Sequence, residues 1–216
     1  MKNPLFTIII PFREDRGWLQ NAIDSVENQS FSNYELIIQQ GPHNQSKNVN
    51  DGLKKASGQY IYILHEDDEL YSDDVLEKLA EFIEEEEEAA QQHLTWLIGA
   101  AMDSQARFFD SSFRGLESLL ENNTIHGGTC VYNTEKMREL GGFDETLDTG
   151  EEYDFNIRLS HSYGSPIYYN LISRYYRIEG QNKSLNFHGF ESREARKKYI
   201  KDRIVKKYES LYFNKI

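Results

Sequence analysis

The order of hydrophobic and polar positions in the first third of the chain predicts five regular elements. Short β-branched and aromatic runs, typical of buried strands, lie at residues 6–10, 34–39 and 60–64. Apolar residues at helical spacing lie at residues 18–28 and 48–56. Alternation of strand and helix over so short a length predicts right-handed βαβ crossovers and therefore a parallel sheet.

The rest of the pattern is mixed. Helical spacing lies at residues 75–92, 134–140 and 151–163, and strand-like runs lie at residues 125–132 and 166–176. Residues 180–189 are polar and loop-like, and a helix is predicted from about Ser192. Residues 94–123 show no clear period. The pattern therefore predicts an α/β fold that ends in a helix.

An acidic cluster directly follows the third predicted strand, in Tyr60-Ile61-Tyr62-Ile63-Leu64-His65-Glu66-Asp67-Asp68-Glu69-Leu70. Crowded carboxylates repel one another unless a cation lies between them, and in open α/β sheets this end of a strand is where ligands bind. The cluster therefore indicates a divalent metal site. The alternative is a solvated acidic turn before a helix capped by Ser72, Asp73 or Asp74.

The charge of the chain excludes one class of partner and divides the sequence. A formal charge of -12 over 216 residues argues against nucleic acid as a partner, because nucleic-acid binding requires a basic face. Residues 191–216 nevertheless hold nine Lys and Arg against four Asp and Glu. We therefore expect a domain at residues 1–190 followed by a basic amphipathic helix at residues 191–216.

Three interpretations of this basic tail stay open. It can dock on the core, form an oligomer contact, or act as a surface helix attracted to anionic lipid. Its apolar side is rich in Tyr rather than Leu, and the acidic body offers it an internal partner. Docking or a homo-oligomer is therefore favoured over weak peripheral membrane contact.

Cysteine usage and hydropathy indicate the compartment. Cys130 is the only cysteine, which excludes an internal disulfide and a multi-cysteine zinc site, and its apolar neighbours predict a buried side chain. No apolar run approaches the length of a membrane span, and the amino terminus lacks a signal-peptide pattern. We expect a cytoplasmic protein, with peripheral contact at the inner face of the membrane as the alternative.

Other polar segments frame the acidic cluster. Arg13 ends the first strand, and Lys47 lies near a helix start whose backbone N–H groups can meet a diphosphate. Glu151 and Glu152 begin another helix, a place where acids also stabilise the first turn without any function.

Four segments in this order resemble the GT-A glycosyltransferases, specifically the inverting glycosyltransferase family 2. They are Asn50-Asp51-Gly52-Leu53, Gly58-Gln59-Tyr60-Ile61, His65-Glu66-Asp67, and Gly141-Gly142-Phe143-Asp144 with Glu151-Glu152-Tyr153-Asp154. The resemblance covers about residues 5 to 185. It implies a GT-A fold, in which a mostly parallel central sheet is flanked by helices.

Some details are similar to the β-1,4-galactosyltransferases and the bacterial chondroitin-polymerase domains. They are Ile10-Pro11-Phe12-Arg13, Ile38-Gln39-Gln40, His126-Gly127-Gly128 and Gly150-Glu151-Glu152-Tyr153-Asp154. They imply an enzyme that takes a hexosyl or N-acetylhexosaminyl group from a nucleoside-diphosphate sugar, with a UDP-sugar favoured. The implied acceptor is a hydroxyl of a glycan or glycolipid, as in polysaccharide biosynthesis.

The resemblance also implies roles for individual residues. Asp67 would ligate Mn²⁺ or Mg²⁺, Glu152 would take the proton of the acceptor, and Glu151 would orient the acceptor. The implied donor-binding residues are Pro11, Phe12, Arg13, Gln40, Lys47, Asn50, His65, Glu66 and Asp67.

The sequence departs from the family pattern at several of these positions. His65 stands in place of the first Asp of the metal motif, and Glu152 stands where Asp is commoner. Gln39 and Gln40 replace acids that usually read the base. Ile178 occupies the place of a further metal ligand in the galactosyltransferases, and His188 is the candidate to substitute for it.

Two other functions stay open. A non-catalytic sugar-nucleotide or glycan-binding domain would explain why both key motifs carry substitutions, at His65 and at Glu152. A nucleotidyltransferase with a two-metal acidic site is the third possibility, although the expected Gly-rich basic loop after the first strand is missing.

Overall fold

The computed structural model describes residues 3–42, 44–147, 149–178 and 190–212. Within these ranges the strands are β1 Phe6–Phe12, β2 Tyr34–Gln40, β3 Tyr60–Ile63, β4 Glu69–Leu70, β5 Trp96–Asp103, β6 Phe108–Asp110, β7 Val131–Asn133 and β8 Ile167–Tyr176. The helices are α1 Leu19–Glu27, α2 Gln45–Lys55, α3 Val75–Ala90, α4 Leu116–Glu121, α5 Thr134–Glu139, α6 Glu151–Tyr163, α7 Arg193–Ile200 and α8 Lys206–Tyr212.

The strands form one sheet in the order β2-β1-β3-β7-β5-β8-β4, with β6 added to β5. Pairings are parallel for β1 with β2, β1 with β3 and β5 with β8, and antiparallel for the others. The predicted α/β fold is confirmed, but the sheet is more mixed than expected. Of the antiparallel pairs, β5 and β6 are joined by a short turn, whereas β3 with β7, β5 with β7 and β4 with β8 join strands that are distant along the chain.

Apolar side chains alternate along the strands and build a core on each face of the sheet. Ile9 and Ile61 face a core with α2, α4, α5 and α6, whereas Ile8, Ile10 and Tyr62 face a core with α1 and α3. A period of two residues sends neighbouring side chains to opposite faces, so both faces of the sheet are covered by helices.

Strand β1 extends beyond the predicted stop at Pro11. Its pairing with β3 ends at Ile9, whose carbonyl accepts from the amide of Leu64, while its pairing with β2 continues to Phe12. Residues two apart in a strand direct their backbone N–H and C=O groups to the same neighbouring strand, so Pro11, like Ile9, faces the β3 side. Because β3 has already ended there, no hydrogen bond is lost through the missing N–H of Pro11. The proline therefore fits inside a central strand, and Arg13 follows at the carboxyl end of β1.

Two predicted segments differ from the observed ones. The unassigned segment 94–123 contains β5, where Gly99 leaves the space that the ring of Tyr169 fills. The predicted strand at residues 125–132 is instead a single 3₁₀ turn, Gly127–Thr129, followed by the short strand β7. Cys130 is buried as predicted, and burial raises the pKa of its thiol to about 12.

The basic tail docks on the core in this structure. Ser192 caps α7, and the chain continues through a π-helical turn, Lys201–Val205, into α8. Ile204 and Tyr208 are buried against α6, where the Tyr208 hydroxyl donates to Asp154 Oδ1 at 2.6 Å. No helix of the described ranges is long and apolar enough to cross a membrane. The division of the chain near residue 190 stays a prediction.

We predict that Tyr208→Phe lowers the free energy of unfolding by about 1–2 kcal/mol, because the buried carboxylate of Asp154 loses a donor. Urea denaturation at pH 7 measures this difference. The control is Tyr71→Phe, since Tyr71 is 43% exposed, and it should change stability by less than about 0.5 kcal/mol. Equal effects of the two substitutions would show that the docked tail does not stabilise α6.

Candidate active site

A cleft of about 720 Å³ opens at the carboxyl ends of β1 and β3. Its lining combines the end of β1, the loop between β3 and β4, the Gly127–Thr129 turn and the start of α6. The predicted site residues found in this lining are Pro11, Phe12, Arg13, His65, Glu66, Asp67, Glu151 and Glu152. The fold therefore brings most of the predicted site residues to one place.

Two guanidinium groups pair with Glu66, Asp67 and Asp68 of the acidic cluster. Arg16 donates to Glu66 Oε1 through Nε at 2.9 Å and through Nη2 at 2.6 Å, and to Asp67 Oδ2 at 2.8 Å. Burial alone would raise the pKa of the Asp67 carboxyl, but neighbouring positive charge, including Arg16 and Arg174, outweighs burial and holds that pKa below its usual value. Asp67 is therefore an ionised carboxylate at the wall of the cleft.

The second guanidinium, Arg174 on β8, is 1% exposed and lies beneath the cleft. Its Nη2 donates to Asp68 Oδ2 and, at 2.6 Å, to His65 Nδ1. Burial lowers the pKa of Arg174, but a guanidinium remains charged at neutral pH and has no lone pair to offer. His65 Nδ1 must therefore accept, which places the imidazole proton on Nε2.

The Nε2 side of His65 faces the opposite wall of the cleft. It lies 2.7 Å from the side-chain amide of Gln45, which must turn its oxygen toward the ring to accept the proton. It also lies 3.6 Å from Glu152 Oε1. His65 thus stands between the acidic loop and the start of α6.

Donor atoms for a divalent cation converge at the acidic loop. His65, Asp67 and Asp68 each offer one ligand atom, and these atoms lie within 4.8 Å of one another. Asp68 is engaged by Arg174 and by the backbone amide of Arg177, so Asp67 is the carboxylate that faces the cleft. A cleft-facing carboxylate fits Mn²⁺ or Mg²⁺, and His65 would add a ligand atom only after one ring nitrogen loses its proton or its contact with Arg174. The predicted ligand His188 lies outside the described residues.

The two predicted catalytic carboxylates begin α6, after Gly150 at φ +85°. Glu152 Oε1 is buried and has no hydrogen-bond partner among the described residues. Its other oxygen lies against Gly127, where any Cβ would collide with it. A carboxylate oxygen without a donor, at the wall of a cleft, can accept a proton from a bound molecule.

Three predicted donor-binding residues do not line the cleft. Gln40 is exposed, and Lys47 pairs with Asp51 at 3.1 Å. Asn50 is buried, and its amide donates to the carbonyl of Phe143 at 2.9 Å and accepts from the backbone amide of Phe143 at 2.8 Å. Asn50 therefore joins α2 to the Gly141–Asp144 segment, and a role for these three residues in donor binding stays a prediction.

Sequence reasoning overlooked several cleft residues. Arg16 and Arg174 were not singled out, because an arginine becomes a site residue only through tertiary contacts that no local pattern records. Arg196, from the tail, lies 3.4 Å from Thr149 Oγ1 beside Glu151. Burial lowers the pKa of Arg196, although the neighbouring Glu151 opposes this effect.

One wall of the cleft is aromatic. The rings of Phe109, His126 and Tyr176 contact one another, with centroids 5.7 to 6.5 Å apart. Burial lowers the pKa of His126, so its ring is neutral at pH 7. The rings supply an apolar surface against which a bound ligand can pack.

Comparison with known proteins connects this geometry to a family. The family model described as glycosyl transferase family 2 matches residues 37–139. A PGL/p-HBAD biosynthesis glycosyltransferase of Mycobacterium bovis is 23% identical over 205 residues, covering 82% of this chain and 76% of the relative. An uncharacterized glycosyltransferase of Rickettsia prowazekii is 24% identical over 228 residues, covering 85% and 68%.

Solved structures share the fold. S. aureus TarS 1–349 in complex with UDP superposes with a TM-score of 0.61 at 15% identity, covering 97% of this chain and 73% of that chain. The complex of TarS 1–349 with UDP-GlcNAc gives a TM-score of 0.62 at 14% identity, covering 95% and 72%. The chain spans 60% of another TarS 1–349 structure and 44% of TarS itself.

We predict that Gly128→Ala lowers the free energy of unfolding by at least about 2 kcal/mol, because a Cβ there would collide with the buried guanidinium of Arg174. Gly127→Ala is the matched control, since its Cβ would meet chiefly the carboxylate end of Glu152, which can move, and would lie 2.9 Å from the Cβ of Glu152. Its cost should be less than half as large. Chemical denaturation compares the two, and equal losses would contradict a rigid Arg174.

Proposed function

We propose that the chain is a family 2 glycosyltransferase of GT-A fold, which transfers a sugar from a nucleoside-diphosphate sugar to an acceptor hydroxyl with the help of a divalent cation. The proposed donor is a UDP-sugar, and the proposed acceptor is a glycan or glycolipid. The observation that carries the proposal is the position of His65, which lies between the cleft carboxylate Asp67 and the unpartnered oxygen of Glu152.

Glu152 acts as the general base in this proposal. The acceptor oxygen forms a bond to the anomeric carbon while the bond from that carbon to the diphosphate oxygen breaks. The hydroxyl proton passes to Glu152 Oε1, and the electron pair of the broken bond leaves with the nucleoside diphosphate. A single displacement of this kind inverts the anomeric carbon, and Glu151 orients the acceptor from the same helix turn.

Asp67, with His65 beside it, would hold the Mn²⁺ or Mg²⁺. When bound, such an ion offsets the negative charge that develops on the leaving diphosphate. Glu66 lies next to this carboxylate and can accept a hydrogen bond from a ribose hydroxyl. The buried pairing of Asp68 with Arg174 fixes the loop that presents both side chains.

The donor would lie along the end of β1, where Pro11 and Phe12 form the wall and Arg13 is exposed at the opening of the cleft. The TarS complexes with UDP and UDP-GlcNAc, which have the same fold, support a uridine nucleotide and make UDP-GlcNAc the first donor to test. The proposal keeps the expected cytoplasmic location, since the one cysteine is free and buried.

We predict that Asp67→Asn and Glu152→Gln each lower the turnover of UDP-GlcNAc in the presence of Mn²⁺ by about 100-fold or more, because one loses the cation ligand and the other the base. The measurement is UDP release, with water and a panel of p-nitrophenyl glycosides as acceptors. Glu152→Gln should leave UDP affinity unchanged, whereas Asp67→Asn should weaken it.

The control for both variants is Glu84→Gln, an exposed acid on α3, which should retain full turnover. UDP binding without turnover for any acceptor would favour the sugar-nucleotide-binding domain over the enzyme. Release of pyrophosphate instead of UDP would favour a nucleotidyltransferase.

A thermal-shift panel tests the donor class independently. We predict that UDP and UDP-sugars raise the melting temperature more than GDP- or dTDP-sugars, and only when Mn²⁺ or Mg²⁺ is present, because a cation held by Asp67 would offset the charge of the diphosphate. Stabilisation by UDP that is the same with EDTA would overturn the metal-dependent part of the proposal.

A further inference from the structure

Arg16 forms ion pairs with the carboxylates that a metal ion would need. It lies in the loop between β1 and α1, three residues after Arg13, and its fork of N–H donors spans Glu66 and Asp67. Its contact with Asp67 Oδ2 is 2.8 Å long, and its side chain keeps 30% of its surface exposed. This contact takes up one of the two carboxylate oxygens of the proposed metal ligand.

The two arginines that pair with the acidic loop differ in how deeply they are buried. Arg174 is enclosed and its pairing with Asp68 is buried, so it is a permanent part of the fold. Arg16 lies at the cleft on a loop that is turned by Gly17 at φ +94° and by the Gly17 amide donating to Asp15 Oδ1 at 2.7 Å. Its guanidinium is 30% exposed at the cleft, so it can turn from the carboxylates toward solvent, whereas Arg174 at 1% cannot.

Charge balance makes the two cations alternatives. Three carboxylates, Glu66, Asp67 and Asp68, face two guanidinium groups, so the negative charges of the acids exceed the positive charges of the arginines by one. If a divalent ion joins while Arg16 stays, the loop becomes positive and Asp67 Oδ2 is shared between two cations. If Arg16 leaves, the ion and Arg174 together balance the three acids.

We propose that Arg16 is an internal cation that holds Glu66 and Asp67 in the absence of metal, is displaced by the divalent ion, and then binds the diphosphate of the donor. This inference rests on the proposed function, because it needs both the ion and a nucleoside diphosphate. A guanidinium can donate paired hydrogen bonds to phosphate oxygens as well as to carboxylates. The N–H groups that Arg16 withdraws from the carboxylates can therefore donate to the diphosphate.

Cooperation between metal and donor follows from this exchange. Without nucleotide, the ion must break the contacts of Arg16 with the carboxylates, and these contacts therefore weaken the binding of the ion. With the diphosphate present, the released guanidinium gains a new partner, so each ligand raises the affinity of the site for the other.

The test titrates Mn²⁺ alone into the whole chain by calorimetry, without nucleotide. Arg16→Ala should tighten Mn²⁺ binding by about fivefold or more, and Arg16→Lys, which keeps the charge but loses the fork, by less. The matched control is Arg13→Ala, which removes an arginine from the same cleft and should change Mn²⁺ affinity less than about twofold. Melting curves in EDTA confirm that each variant folds.

The second arm titrates nucleotide at saturating Mn²⁺. Arg16→Ala should weaken UDP binding by about fivefold or more, while the affinity for uridine, which has no phosphate, stays the same as in the wild type. Unchanged UDP affinity would overturn the diphosphate contact.

Failure of the inference is distinct from failure of the proposed function. If the wild type binds Mn²⁺ and UDP and turns over the donor, but Arg16→Ala leaves Mn²⁺ affinity unchanged or weaker, the inference is wrong and the function stands. If the wild type binds neither Mn²⁺ nor UDP, both are wrong.

Discussion

The buried guanidinium of Arg174 is the constraint on which the site depends. A charge taken out of water is costly unless it is paired, and removing a partner costs more than the pair contributes. Asp68 and His65 supply the pairing, and Gly128 leaves the space that the guanidinium fills. Since Asp68 also accepts from the backbone amide of Arg177, the loop after β3 is tied to the end of β8 across the sheet.

His65, the residue that departs from the expected acidic pattern, is part of this pairing. Its Nδ1 accepts one hydrogen bond from Arg174, and its other ring nitrogen lies 2.7 Å from the Gln45 amide and 3.6 Å from Glu152 Oε1. A histidine in place of an acid lowers the negative charge of the loop, and its ring stands between the acidic loop and the start of α6.

Much of the fold was predictable from local patterns, because β1, α1, β2, α2 and β3 follow the simple periods of strand and helix. The start of α2 shows where such reasoning fails. We expected this helix to start at residue 48, but Asn44 caps it and α2 begins at Gln45. Asn50 therefore falls in the second turn and faces Phe143.

The arginines of the cleft were unpredictable for a different reason. Nothing in the sequence of β8 indicates that Arg174 points into the interior. Arg16 follows the Pro11-Phe12-Arg13 segment but is not part of it. Their roles depend on which loop the sheet order places opposite them. The sequence therefore located the carboxylates of the site, whereas only the tertiary structure located their counter-charges.

The basic tail lies beside an acidic helix start on the α6 side of the cleft. The first turn of α6 concentrates Glu151, Glu152 and Asp154, which the helix dipole favours but which repel one another. The tail places Arg196 beside Glu151 and Lys207 3.8 Å from Asp154. Ile204 of the tail packs closely against the start of α6, since a Cβ on Gly150 would lie 2.9 Å from Ile204 Cδ1. Arg196 and Lys207 thus place two positive charges of the tail beside the helix that carries the proposed base.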